Sequence, residues 1–262
     1  MTATTGGAQD NNQQGDMVNK APQQSSNPSR MSRAGSRRVQ GKNFQQVIGN
    51  ASSPKAINAY TKRLQEHVHS SICGSQPGPA MLEFSYSLEG LYSTAAPQMD
   101  AINISTILSV LAHEWVAAQQ NHNFQYDDIN VIARVKAVFQ QSLKQLQPSL
   151  QRLGAQGISN IVWSSAKLGH NPDEYVPGMV DTLTTMFLQL IHASNMKRRP
   201  NAQNAANLVW ALATLHHPAA TSELLDCACC HFGSLVQHPD ARQRPMAQGV
   251  ANVLWALAEL QH

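Results

Sequence analysis

Planar amides and indoles recur at fixed spacing between residues 156 and 260. The copies are Gln156, Asn160, Trp163, Ala166 and Leu168; Gln203, Asn207, Trp210, Ala213 and Leu215; and Gln248, Asn252, Trp255, Ala258 and Leu260. Amide side chains can pair with the edges of unstacked bases and an indole can stack on a base face, so the pattern suits recognition of a single strand. The same residues have a structural use. A large aromatic at a fixed repeat position reads first as packing in the seam between units. Trp163, Trp210 and Trp255 are therefore assigned to the seam, with stacking as the alternative. The glutamines, one turn nearer the start of each copy, stay open to either role.

Two basic clusters precede consecutive copies: Lys197, Arg198 and Arg199 before the second, Arg242 and Arg244 before the third. Solvated loop charge is one account. The other is a rim along which phosphates could be neutralised, because the two clusters occupy equivalent places in the repeat. Cys227, Cys229, Cys230 and His231 lack the two separated ligand pairs of a zinc site and read as small buried thiols within a helix. His216 and His217, beside Pro218, read as loop residues. There is no glycine-rich phosphate loop, no His-Glu-x-x-His and no serine in a nucleophile elbow. Neither catalysis nor a cofactor or metal is expected.

The elements that must carry these residues follow from the period. Successive tryptophans lie 47 and 45 residues apart, a length at which each unit is a pair of helices in a stacked array. On a helical wheel of the middle copy, Ala205, Leu208, Val209, Leu212 and Leu215 share one side, and Gln203, Asn207, Trp210, Ala211 and Thr214 the other. An apolar stripe that wide needs cover from a second helix, so single units should not stand alone. Ala, Leu and Gln dominate and alternating β-branched runs are missing. The fold class expected is all-α, an α-solenoid of stacked helix pairs with a right-handed superhelix, over residues 44–262, with clear units starting near 155, 201 and 246.

Residues 1–43 hold almost no large apolar side chain and read as a disordered basic tail. They carry six Lys or Arg against two acids, whereas residues 151–262 carry seven of each, so the formal charge of +3 sits in the tail. A neutral repeat body lacks the footprint of a duplex-DNA binder. Ser25 to Gln40, with four arginines among serines, loosely resembles an organelle transit segment. Ser53-Pro54 reads as a helix cap and first-turn pair. Gly74 to Pro79 reads as a break before a short helix over 81–91. Residues 101–112 form a degenerate first copy, 54 residues before the next, with Thr106 for the asparagine and Ser109 for the tryptophan. Tyr126 to Leu146 reads as an amphipathic helix opened by Asp127 and Asp128. Gly169 closes the first clear copy, and Asn171 to Glu174 opens a partner helix running over 176–191. The last unit has one helix and no second, so a longer protein or another molecule is expected to cover it, the former being favoured. Four cysteines give no disulfide framework and suit a reducing intracellular or organelle interior. No apolar run approaches the ~18–20 residues that cross a bilayer, so no membrane partner is expected.

The three copies of Asn and Trp followed by Ala and Leu resemble the octotricopeptide repeat proteins of algal organelles. They are similar also to the wider group containing FAST-kinase-like and RAP-domain proteins and a helical subunit family of mitochondrial RNA-editing complexes. Ala101-Ile-Asn-Ile-Ser-Thr-Ile-Leu-Ser-Val-Leu-Ala112 is similar to the opening unit of such proteins, and Ile48 to Ser53 to the segment before it. The resemblance covers about residues 44–262. It implies an α-solenoid that binds single-stranded organelle RNA, in the mitochondrial matrix or chloroplast stroma, and acts in its processing, stability or translation. With the amides and basic loops described above, the RNA site expected is Gln156, Asn160, Gln203, Asn207, Gln248 and Asn252 with Lys197, Arg198, Arg199, Arg242 and Arg244. Other organelle RNA-processing or ribosomal proteins are expected as possible partners, and a protein-binding scaffold of the same architecture is the alternative.

Overall fold

A computed structural model of the 262-residue chain describes residues 53–125 and 129–262. The expectations for the tail, for Ile48 to Ser52 and for Asp127 and Asp128 lie outside these residues. Among the described residues there are nine α-helices and no strand: α1 (Pro54–Ile72), α2 (Pro77–Ala95), α3 (Ala101–Gln120), α4 (Ile129–Leu146), α5 (Ala155–Leu168), α6 (Met179–Ile191), α7 (Ala202–Thr214), α8 (Ser222–Ser234) and α9 (Ala247–Glu259).

Local chemistry sets the ends of these helices. Ser53 caps α1, its hydroxyl accepting from Ala56 N at 3.3 Å, with Pro54 in the first turn. The expected break at 74–79 is shorter than the composition suggests. Pro77 and Pro79 fall inside the first turn of α2, where a missing N–H leaves no bond unmade, so the helix starts at Pro77 and runs to Ala95. Asp100 and Asn103 form a reciprocal capping box at α3, and Asn201 and Asn204 form the same box at the equivalent place on α7. Gly169 ends α5 in the left-handed region, φ 69°. The partner expected over 176–191 begins later. Asn171 caps only a single 3₁₀ turn over Pro172–Glu174, and Gly178, at φ 73°, resets the backbone before α6. Asp173 bridges the gap, its Oδ1 accepting from Val180 N at 2.9 Å.

Odd-numbered helices pack in sequence, α1 on α3, α3 on α5, α5 on α7 and α7 on α9, as a front layer. In the rear layer α2 packs on α4 and α6 on α8, and each front helix from α1 to α7 packs on the rear helix that follows it. The result is a helix-pair array, one unit longer at its start than the repeat pattern alone indicates. Its buried apolar residues form one continuous cluster between the layers, from Ile57 to Ala256. Single units could not build such a core.

Polar bonds between units carry the period in their sequence separation. Asn103 Nδ2 donates to Pro54 O and to Asn58 Oδ1 (both 2.8 Å), and Tyr92 donates to Ser142 Oγ at 2.6 Å. Arg134 Nη1 donates to both carboxylate oxygens of Glu89, and buried His217 reaches Asp173 Oδ2 at 3.1 Å. Each joins positions one unit apart. His217 is thus more than a loop residue: its Nδ1 accepts from Ala219 N while Nε2 donates to Asp173.

The apolar helix α3 departs from the membrane expectation. Its 20 residues are long and apolar enough by composition to cross a bilayer, although no unbroken apolar run is present, and 67% of the most apolar window is buried inside the protein. Burial between α1 and α5 accounts for that composition.

Candidate nucleic-acid interface

The front helices from α3 to α9 each leave one stripe uncovered, at positions spaced 4, 3 and 4 residues apart. On α5 it is Gln156, Asn160, Trp163 and Lys167. On α7 it is Gln203, Asn207, Trp210 and Thr214, and on α9 it is Gln248, Asn252, Trp255 and Glu259. On α3 the equivalent residues are Ile102, Thr106, Ser109 and His113. Gln156, Gln203 and Gln248 are exposed, whereas the three asparagines are half-buried. Ala211, which the wheel places on this side, is fully buried.

The front helices stack side by side, so these stripes form rows that cross the units. The third and fourth positions interlock. His113 lies against Trp163 (ring centroids 4.7 Å), the Lys167 ammonium sits 5.8 Å from the Trp163 ring and 4.2 Å from the Trp210 ring, and Trp210 is 6.4 Å from Trp255 at an interplanar angle of 38°. The indoles at 163, 210 and 255 thus belong to one ladder. They bridge adjacent units, as a seam residue must, and they also keep solvent-facing surface. Trp163 and Trp210 are half-buried against the core, while Trp255 is 45% exposed. Trp115, by contrast, is buried and packs edge-on against Phe124 at 5.6 Å.

Burial shapes the charge in this ladder. It lowers the Lys167 pKa from the usual lysine value. It also lowers that of His113, an effect to which the Lys167 charge adds and which Glu114 opposes. An ammonium held over two indoles and partly shielded from water is a cation suited to a phosphate or to the edge of a base.

The two basic loops adopt the same local structure. Asn195 and Asp240 accept from Lys197 N and Arg242 N, opening a 3₁₀ turn, and Arg199 Nε and Arg244 Nε donate back to Ala193 O (2.8 Å) and His238 O (2.6 Å). Arg199 and Arg244 therefore spend one donor on holding their loops. Lys197, Arg198 and Arg242 carry no such bond, and the Arg242 side chain is 93% exposed. Connectivity places both loops at the N-terminal ends of α7 and α9, the ends that also bear Gln203 and Gln248.

Sequence reasoning overlooked one row. The residue after the glutamine position runs Asn103, Gly157, Asn204, Gly249, alternating an amide that bonds to the preceding unit with a glycine. Asn204 Nδ2 reaches Ser159 Oγ at 3.3 Å, and a Cβ on Gly157 would stand 2.7 Å from Leu153 Cδ2. The capping-box spacing Asn-x-x-Asn at 201–204 was the available signal. The thiols of α8 also differ from expectation. Cys227 and Cys229 are half-buried and Cys230 is exposed, because α8 packs mainly through Leu224, Leu225, Ala228 and Phe232. No three His, Cys, Asp or Glu side chains converge so as to hold one metal ion among the described residues. Comparison with protein-family models, with curated proteins and with solved structures returns no match, and the geometry of this face is what bears on its use.

Proposed function

We propose that the front face binds single-stranded RNA, the amides reading base edges, the indole ladder stacking on bases and Lys197, Arg198 and Arg242 contacting phosphates. The observation that carries this reading is the register of the stripe. Gln, Asn and Trp repeat in the same order on three adjacent helices, and the ladder they form is only partly enclosed. A purely structural seam would have no need of exposed amides at the same position in three consecutive units. Arginine and lysine in equivalent loops at one end of the stripe concentrate positive charge on a body that is neutral overall. Within the proposal the protein acts on organelle RNA, in its processing, stability or translation, in the manner of the octotricopeptide repeat proteins that its motifs resemble.

Titration of a labelled single-stranded RNA at several salt concentrations tests it. Replacing Lys197, Arg198 and Arg242 by Gln should weaken binding and flatten the slope of log K against log salt by about 2, at roughly 0.7 per phosphate contact. The pair Gln203→Ala and Arg198→Ala should weaken binding with helix content unchanged. A salt-independent or absent shift, together with a stable protein partner recovered by the same face, would replace this reading with that of a protein-binding scaffold.

A further inference from the structure

At the opposite end of the front layer the array carries a second kind of chemistry. Cys73 follows the last turn of α1 and is exposed, and its Sγ lies 3.5 Å from His69 Nε2, one turn back. His69 Nδ1 in turn lies 2.8 Å from Glu114 Oε2 on α3. Glu114 is 1% exposed, and its other oxygen accepts from Gln65 Nε2 at 2.7 Å. Thiol, imidazole and buried carboxylate stand in line, each within hydrogen-bonding reach of the next. The carboxylate can only accept, so the ring presents Nδ1–H to it and leaves Nε2 free to accept from sulfur.

The fold does not demand this arrangement. Glu114 occupies the position that the three later units fill with Leu168, Leu215 and Leu260. A buried carboxylate costs free energy unless it is bonded, and here the two groups bonded to it come from the neighbouring helix. The backbone around the thiol is also fixed. Asn121 Nδ2 donates to Ile72 O (2.9 Å) and to Gly74 O (2.7 Å), the carbonyls on either side of Cys73. The ionisable groups bonded in line with the sulfur are His69 from its own helix and, through it, Glu114 from α3.

We propose that Cys73 is a nucleophilic thiol that exchanges with small aliphatic disulfides, with His69 as the base and Glu114 and Asn121 as positioning residues. His69 Nε2 takes the proton from Sγ, and the sulfur attacks one sulfur of the incoming disulfide. The disulfide bond breaks and its electron pair leaves on the second sulfur, which takes the proton back from His69. Cys73 is oxidised to a mixed disulfide and one equivalent of small thiol is released. The exposed side of Cys73 gives the disulfide its approach, and the reaction reverses with excess thiol.

Cys230 supplies the comparison within the same molecule, an exposed thiol on α8. The full chain is treated with oxidised glutathione at neutral pH and modification at each cysteine is followed by mass spectrometry. Cys73 should react about tenfold faster than Cys230, and His69→Ala should remove that advantage. Added imidazole should restore the rate of the His69→Ala protein at Cys73 and leave Cys230 unchanged, which loss of local structure alone would not produce. Glu114→Leu, the residue of the three later units, should slow Cys73 while circular dichroism stays the same, and should abolish the downfield Nδ1–H proton resonance of His69. Equal rates at Cys73 and Cys230, or a Cys73 rate indifferent to His69→Ala, would overturn the assignment.

Discussion

Replacing Trp210 by alanine separates the two roles its position allows. In the folded protein its ring holds the Lys167 ammonium at 4.2 Å and the Trp255 ring at 6.4 Å. An exposed cation–π contact contributes about 0.5–1 kcal/mol and an aromatic pair about 0.5–1.5 kcal/mol. Alanine is itself the best helix former, so α7 should persist, and the substitution should cost about 2 kcal/mol in total. Stacking on a base contributes about 1–3 kcal/mol, so RNA affinity should fall by about 5- to 150-fold under conditions where the variant is folded. Urea unfolding followed by circular dichroism reads the first quantity, and fluorescence anisotropy of a labelled RNA reads the second. Lys167→Met is the control, because it removes the charge while keeping the indoles. It should lower stability by less than Trp210→Ala and reduce the salt slope by roughly 0.7. Unchanged RNA affinity in folded Trp210→Ala protein would refute stacking. A loss of more than about 4 kcal/mol would place Trp210 among the core residues instead.

Asp173→Ala should cost about 2–3 kcal/mol, because it removes the acceptor for Val180 N and leaves the imidazole of His217, 3% exposed, without its partner; chemical denaturation measures it. Tyr92→Phe should cost about 0.5–1.5 kcal/mol by the same assay, since the buried hydroxyl donates to Ser142 Oγ at 2.6 Å. Acidification should destabilise the fold through His113 and His170, whose pKa values burial lowers from 6.5, with help from Lys167 and Lys136 respectively. The unfolded chain then binds more protons, so stability should drop as pH falls from about 6.5 toward the lowered folded values, and His113→Gln with His170→Gln should flatten melting temperature against pH. Hydrogen exchange should find α9 the least protected helix of the front layer, since only Val253 and Ala256 are buried on it.

The array was legible wherever a repeat position had one chemical requirement. The 3.6-residue apolar stripe and the Asn-Trp-Ala-Leu spacing identify α5, α7 and α9, because each must bury the same face against the same kind of neighbour. Two positions had more than one solution and escaped notice. The residue after the glutamine position is asparagine or glycine, which share no property that a periodicity scan weighs: Asn103 and Asn204 bond to the preceding unit, and a Cβ on Gly157 would run into Leu153. Glu114 stands where leucine belongs and was readable only as an imperfection of the degenerate copy. Its partners Gln65 and His69 come from α1, a helix whose membership of the array has no motif to announce it. Prolines 77 and 79 misled in the other direction. Proline clusters mark breaks in general, but here they begin a helix whose first-turn N–H groups need no partner.

The fourth row of the stripe gives the proposed RNA face a direction. It runs His113, Lys167, Thr214, Glu259 along successive units, passing from an imidazole and a cation to a neutral hydroxyl and then to a carboxylate. Thr214 turns its hydroxyl inward to Trp210 O, and Glu259 lies 3.8 Å from His216 Nε2, so neither presents a cation outward. A strand crossing the row would meet an attractive charge beside Trp163 and Trp210 and a repulsive one beside Trp255. The basic loops lie before α7 and α9, and charge at that end of the stripe compensates for the acid at the other. Phosphates would therefore follow the N-terminal ends of the later helices and pass close to Lys167 on the middle of the array. On this geometry Glu259→Gln tightens RNA binding, an outcome that a row with no ligand could not produce.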